Sequence, residues 1–371
     1  MKKQGLSGHF GFNPWGIQTK IFDVQYKQND IENIIGIDCG GTKTLITHID
    51  ASVTGRPGRT CIGLGEIKKQ QYFENDKYDS IRSIIQTYLD RNRVDPTCTC
   101  ASIAAAGPLI GQTINMSNRL WAVNSDEIQN QFQFKQVYLL NDLQAMIYAV
   151  DNIEPKHIIT LNEGKKNKHG NVAVIAAGTG LGESIGLYLP QQEYYHAVAT
   201  EGGGADFAPG NKVERSLLKH LQSKKEHVSW EDIVSGKGIL NIYEFLIENS
   251  TADSRLKIKD GKKISAEIIL TQALSGKDML CKKTLEIFLS AYAAEAGNLA
   301  LKCLPYGGLY ITGGIAASLV TTLQDENILQ RFFNKGVLKS VMEDIPVYLV
   351  THPEYVTIGA INYALLELHN L

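Results

Sequence analysis

The chain has 371 residues, 43% hydrophobic and 20% charged, ordinary usage for a globular protein and long enough for two domains. Lys plus Arg total 37 against 39 Asp plus Glu, a formal charge of −2, so no broad basic field points to nucleic acid or an anionic membrane. The six cysteines form no C-x-x-C pair and no run of apolar residues is long enough to span a bilayer, which argues against a disulfide framework, a cysteine zinc site and a membrane anchor.

The first residues lack the apolar core of a signal peptide, so the expected location is the cytoplasm. Residues 1–33 are polar, glycine-containing and weakly patterned, and they read as an N-terminal arm. Ile34-Ile35-Gly36-Ile37-Asp38 is a β-branched run that ends in the turn Gly40-Gly41-Thr42, with the next strand over residues 45–50. Apolar residues at 81, 84, 85, 88 and 89 give a helical period over 78–90. Residues 101–106 read as a buried strand closed by Gly107-Pro108, and 137–140 as another, with Asn141-Asp142 opening the helix that follows.

From Asn171 the pattern starts again. Residues 172–175 form a strand that ends in Ala177-Gly178-Thr179-Gly180-Leu181-Gly182, and 183–189 form the next one. The Asp38 arrangement of strand, glycine turn and strand thus recurs about 140 residues later. Residues 211–301 are mostly helical, with periodic runs at 213–222, 231–249 and 279–302. A third glycine-ended strand over 309–314 closes on Gly313-Gly314, a last strand covers 347–350, and 356–369 read as a closing helix. Strands alternating with helices place the chain in the α/β class with two lobes.

A glycine turn lets backbone N–H groups approach phosphate oxygens without an intervening Cβ, and threonine adds a hydroxyl donor. One such turn equally suits a plain hairpin; two on duplicated units plus a third Gly-Gly do not. No Walker sequence is present: Lys43 follows Thr42 in a turn that runs into a strand. Gly178-x-Gly180-x-Gly182 also precedes a strand, which departs from the dinucleotide fingerprint.

This order of motifs resembles the sugar kinase, heat-shock protein and actin ATPase superfamily, and within it bacterial glucokinases of the non-repressor type. The similarity runs over residues 34–371 and includes Asn115-Met116-Ser117-Asn118-Arg119-Leu120-Trp121, Leu139-Leu140-Asn141-Asp142, Glu201-Gly202-Gly203, Asp206-Phe207-Ala208-Pro209 and Asn298-Leu299-Ala300-Leu301. The resemblance implies a two-lobed actin-like ATPase fold, a duplicated ribonuclease H-like unit, with the active site in the cleft between lobes. The expected division is an arm at 1–33, a small lobe at 34–152 completed by a closing helix at 353–371, and a large lobe at 153–352. It further implies an ATP- and Mg²⁺-dependent hexose kinase that makes glucose 6-phosphate, a small-molecule hexose as partner, and a homodimer.

The resemblance also distributes roles. Asp142 is the expected catalytic base for the 6-hydroxyl proton, although Asn141-Asp142 also suits a helix cap. Asp38 is expected to hold Mg²⁺ through water, because this cation dehydrates reluctantly; an aspartate is also an ordinary turn opener. Gly40, Gly41, Thr42 and Lys43 would line one side of the triphosphate, Gly178, Thr179 and Gly180 the other, and Gly313 and Gly314 the adenosine. Asn118, Asn141, Glu201 and Glu231 are the remaining expected sugar contacts, since a carboxylate accepts two sugar O–H groups at once. Glu231 equally suits a helix start near Ser229-Trp230.

One position departs from the family. Its Glu-Gly-Gly-His is here Glu201-Gly202-Gly203-Gly204, so an imidazole expected near the anomeric end of the sugar is missing. This leaves a kinase of a different or 2-substituted hexose as an alternative; the further rivals are a sugar sensor without turnover and an actin-like ATPase that acts on protein partners.

Overall fold

A computed structural model describes residues 10–12, 18–20, 31–54, 61–116, 119–249, 264–319, 328–352 and 354–370. β1 (Asn33–Cys39) runs antiparallel to β2 (Lys43–Asp50), which pairs antiparallel with β3 (Lys69–Glu74). On the other side of β1 lie β4 (Thr99–Ala105) and β5 (Gln136–Asn141), both parallel to it. The spatial order is β5-β4-β1-β2-β3. The β-branched run at 34–37 suits the central strand because both of its faces are buried: Ile35 and Ile37 enter one core cluster and Ile34 another.

The second sheet repeats this plan. β6 (Ile158–Asn162) is an added edge strand. β7 (Val172–Ala177), β8 (Leu181–Leu189) and β9 (Tyr194–Thr200) are successively antiparallel. β10 (Gly308–Thr312) and β11 (Val347–Val350) lie parallel to β7, giving the order β6-β11-β10-β7-β8-β9. Apart from β6, both sheets place their strands third-second-first-fourth-fifth with the same directions. The chain therefore has the duplicated ribonuclease H-like architecture of the actin-like ATPase fold.

Helix positions follow the apolar period, with shifts that have local causes. α1 (Ile81–Asn92) buries Ile81, Ile84, Ile85, Tyr88 and Leu89, and starts later than the period suggests because Ser80 caps it by accepting the Ser83 N–H at 3.3 Å. α2 (Asp142–Ile147) is one short turn and a half. α3 (Gly236–Asn249) begins five residues after the expected 231. There, the Asp232 carboxylate accepts the Ser229 N–H at 2.9 Å and its hydroxyl at 3.0 Å, closing 229–232 into a turn instead. α4 (Met279–Cys303) is buried almost all round, which fits its position inside the second core.

The closing helix α5 (Tyr355–Asn370) is last in sequence but packs on the first sheet. Gly36 of β1 lies against Thr357 and Ile361, and Gly359 lies against the Ala145 carbonyl of α2, at distances that leave no room for a Cβ. One core cluster joins Ile34 and Ile49 of the first sheet, Met146 and Ile147 of α2, Val172, Val174 and Tyr310 of the second sheet, and Ile358 and Ile361 of α5. Burying each of these aliphatic side chains contributes about 1.5–3 kcal/mol. The same packing fixes α2 between the two sheets, with Asp142 at its N-terminus.

Candidate active site

The turn after β1 is held from below. Gly40 N–H donates to the Lys43 carbonyl at 3.1 Å, and Asn75 Nδ2 donates to the Gly40 carbonyl at 2.8 Å. Asn75 also receives the Thr44 hydroxyl at 2.8 Å, and Arg119 donates to the Gly41 carbonyl at 2.9 Å while pairing with Asp76. With its carbonyls occupied by these donors, the turn leaves the Thr42 and Lys43 side chains exposed. The sequence gives no sign of either role: Asn75 follows the polar edge strand β3, and the resemblance implies no task for Arg119 within the 115–121 motif. Asn118, expected in the same motif, lies outside the described residues.

At the start of α2 the two candidates separate. Asn141 is the cap: its Oδ1 accepts the Leu143 N–H at 2.9 Å, and Gln144 Oε1 accepts the Asn141 N–H at 3.1 Å. Its Nδ2 donates to the Gly107 carbonyl at 3.2 Å, so one amide hydrogen remains for a ligand. Asp142 also accepts the Leu143 N–H at 2.9 Å. Burial raises its carboxyl to about 6, opposed by backbone hydrogen bonds and assisted by the Glu201 charge.

In the second turn Gly178 N–H donates to the Gly180 carbonyl, and Gly236 N–H to the Gly178 carbonyl, each at 2.8 Å. Glu231 Oε2 accepts the Leu181 N–H at 3.1 Å and lies directly over Gly180, where a Cβ would collide with it. Glu231 is free to do so because Asp232 makes the local turn. The Glu201–Gly204 segment is tied to the same place by the Glu231 N–H, which donates to the Gly203 carbonyl at 2.9 Å. Burial, and then the neighbouring Glu231 charge, raises the Glu201 carboxyl above its ordinary value. Gly313, at φ 95°, ends β10 against the Ala177 carbonyl, whereas Gly314 and Gly178 each have open space where a Cβ would point.

The elements thus bring four acids into a row. Asp38 feels Asp142, Asp142 feels Glu201, and Glu201 feels Glu231. Burial, followed by the Asp142 charge, raises Asp38 to about 7. Like charges held together this way are costly unless a cation or hydroxyl donors compensate them. Among the described residues no group of three or more His, Cys, Asp or Glu is arranged to hold a metal. A cation that keeps most of its waters needs fewer protein ligands, and the carboxylates of Asp38 and Asp142 are the kind of hard oxygen donor that Mg²⁺ takes. A separate cavity of about 1070 Å³, lined by Leu285, Ser290 and Arg331 among others, shares no residue with this row.

The glucokinase family profile matches residues 35–367. The chain belongs to the glucokinase family. A glucokinase of Nostoc punctiforme is 35% identical over 338 residues, covering 87% of this chain and 96% of its own. Among solved structures, a glucokinase from an Antarctic psychrotroph superposes with a TM-score of 0.73 at 26% identity, over 92% of this chain and 100% of its own. A ROK family glucokinase from Streptomyces griseus, in complex with glucose and AMPPNP, shares the fold at a TM-score of 0.59 and 17% identity, over 89% of this chain and 98% of its own. Among the described residues no helix is long and apolar enough to cross a membrane.

Gly204, where the chain departs from the family motif, is exposed, has open space at its Cβ position and is not in the left-handed region. The backbone therefore does not demand glycine there. A different imidazole stands close by: His227 Nε2 donates to the Gly204 carbonyl at 3.0 Å, and its Nδ1 lies 3.2 Å from Asp206.

Proposed function

We propose that this protein is an ATP-dependent glucokinase that transfers the γ-phosphoryl group of ATP to the 6-hydroxyl of glucose. The observation that carries the reading is that acids stand at the glycine turn after β7, with Glu231 over Gly180 and Leu143, next to Asp142, packed on Gly182, while Asp38, Asp142, Glu201 and Glu231 lie within electrostatic reach of one another. Glycine turns suit a triphosphate, because phosphate oxygens can approach the backbone there, and carboxylates suit a polyol. Gly40–Thr42 and Gly178–Thr179 face the phosphates, the open side of Gly314 receives adenosine, and Glu201 and Glu231 accept sugar hydroxyls, Glu231 from its place over Gly180. Asn141 holds α2 in place and offers its remaining amide hydrogen.

Asp142 takes the proton of the 6-hydroxyl as its oxygen bonds to the γ-phosphorus and the bond to the β-phosphate oxygen breaks, releasing ADP. A carboxyl raised to about 6 is still mostly ionised at neutral pH and is a better base than an unperturbed one. Asp38, with Asp142 beside it, would hold Mg²⁺ through water; that ion supplies charge neutralisation for the β- and γ-phosphates when bound. Arg119 and Asn75 keep the first turn in place. The reading includes a cytoplasmic location and a homodimer, the latter checked by sedimentation of the purified chain.

The test is ADP release by the purified protein with ATP and Mg²⁺ across glucose, mannose, glucosamine and N-acetylglucosamine. Glucose-dependent turnover is expected. Sugar-independent release would favour an ATPase of other partners, and glucose binding without release a sensor. Restoring the family imidazole with Gly204→His is expected to fold normally and to lower the glucose KM by up to about tenfold, with kcat changing less. An unchanged KM in the folded variant would overturn the role given to this position.

A further inference from the structure

Beneath the Glu201–Gly204 turn lies another pair of acids that the proposed chemistry does not use. Glu183 on β8 is 2% exposed and Glu295 on α4 is 0% exposed. They face each other within hydrogen-bonding reach, yet Oε1 of each has no donor among the described residues. Two ionised carboxylates cannot satisfy one another, whereas a single proton between them satisfies both oxygens.

Two cations, Lys302 and Lys335, stand near the pair and favour ionised Glu295, but neither donates a hydrogen bond to an unpartnered carboxylate oxygen. Asn298 Nδ2 donates to Glu295 Oε2 at 2.8 Å. The Lys302 ammonium stands 3.7 Å from Glu295 Oε1, outside hydrogen-bond range. Lys335 donates instead to the Ala294 carbonyl and to Asn298 Oδ1. Toward Glu183 lie the Tyr292 hydroxyl and the Cys303 thiol, both kept in their neutral forms by burial. Burial and the Glu295 charge raise Glu183 to about 8.

The pair also touches the site. Gly202 packs so closely on the Glu183 carboxylate that a Cβ would overlap Oε2. The Gly202 N–H donates to Thr200 Oγ1, which in turn donates to the Glu183 carbonyl, each at 3.3 Å. We propose that Glu183 and Glu295 share one proton and that the pair, carrying a single charge, holds the Glu201–Gly204 turn in its sugar-receiving position. Loss of that proton sets two repelling charges directly under Gly202 and displaces the turn that carries Glu201. Both residues are positioning residues. The inference rests on the glucokinase reading above.

The experiment measures the KM for glucose and for ATP from about pH 6.5 to 9.5 in wild type, Glu183→Gln and Glu295→Gln, with Tm alongside. In wild type the glucose KM is expected to rise about tenfold through the alkaline limb while the ATP KM stays level. An amide at either position keeps a donor between the two side chains at every pH, so each Gln variant should flatten the limb; the second covers failure of the first to fold. The folded Glu183 value lies above the unfolded one, so its contribution to stability is fully present in acid and falls as pH rises toward 8. Glu183→Gln should therefore gain Tm over wild type with rising pH. A flat glucose KM in active wild type, a limb unchanged in both variants, or a Tm gain without a KM change each overturns the inference. Failure of the glucokinase reading would show separately, as no glucose turnover at neutral pH.

Discussion

Asp142→Asn is expected to lower kcat by about 10²–10⁴ with saturating glucose and ATP, because a positioned base supplies an effect of that size. The structure makes this variant a clean one. Asn141 and Gln144 form the capping box of α2, and an asparagine at 142 still offers an Oδ1 to the Leu143 N–H. The helix start should therefore persist. Asp142 has a raised carboxyl, so its contribution to stability is present in acid and lost as pH rises through about 6. Removing the charge also relieves Asp38, and Tm at neutral pH should hold or increase. Asp142→Ala loses one of two acceptors for the Leu143 N–H and should show the same kinetic defect with a slightly lower Tm. Turnover near the wild-type level in folded Asp142→Asn would remove this residue from the role of base.

Much of the architecture was readable because the central strands are buried on both faces. The runs at 34–37 and 172–175 are continuous apolar segments ending in glycine turns, and both sit at the centre of their sheets. Strands β3, β6 and β9 carry no such signal. Each lies at a sheet edge, and Lys69–Glu74 and Tyr194–Thr200 carry polar or exposed residues in mixed order, so no clean alternation marks them. With β3 went Asn75, whose amide holds the first turn but whose neighbours in sequence look like an ordinary polar loop. α3 starts later than its apolar spacing predicts, because that spacing continues through 231–235 while side-chain hydrogen bonding by Asp232 decides the local backbone. The pairing of Glu183 with Glu295 left no sequence signal, since it joins a strand and a helix far apart in the chain.

The second large effect concerns the turn after β7, where two neighbouring glycines should respond differently. From the sequence, valine at Gly180 is expected to obstruct the nucleotide and spare the sugar. The structure changes that expectation, because the space beside Gly180 is filled by the Glu231 carboxylate, not left open for phosphate. Gly180→Val must push Glu231 away, breaking its acceptance of the Leu181 N–H and its place beside Glu201. Glucose and ATP should then both bind more weakly, and kcat/KM should fall by about 10²-fold or more, the scale of a misplaced site group. Gly178 is the control. Its Cβ position is empty, so Gly178→Ala should fold like wild type and raise the ATP KM with little change for glucose. Isothermal titration with each ligand alone, together with steady-state kinetics, separates the two. Equal losses of both ligands in Gly178→Ala would show that the turn does not face the triphosphate. A nucleotide-only defect in Gly180→Val would show that Glu231 can leave the turn without cost to sugar binding, and would take it out of the pocket.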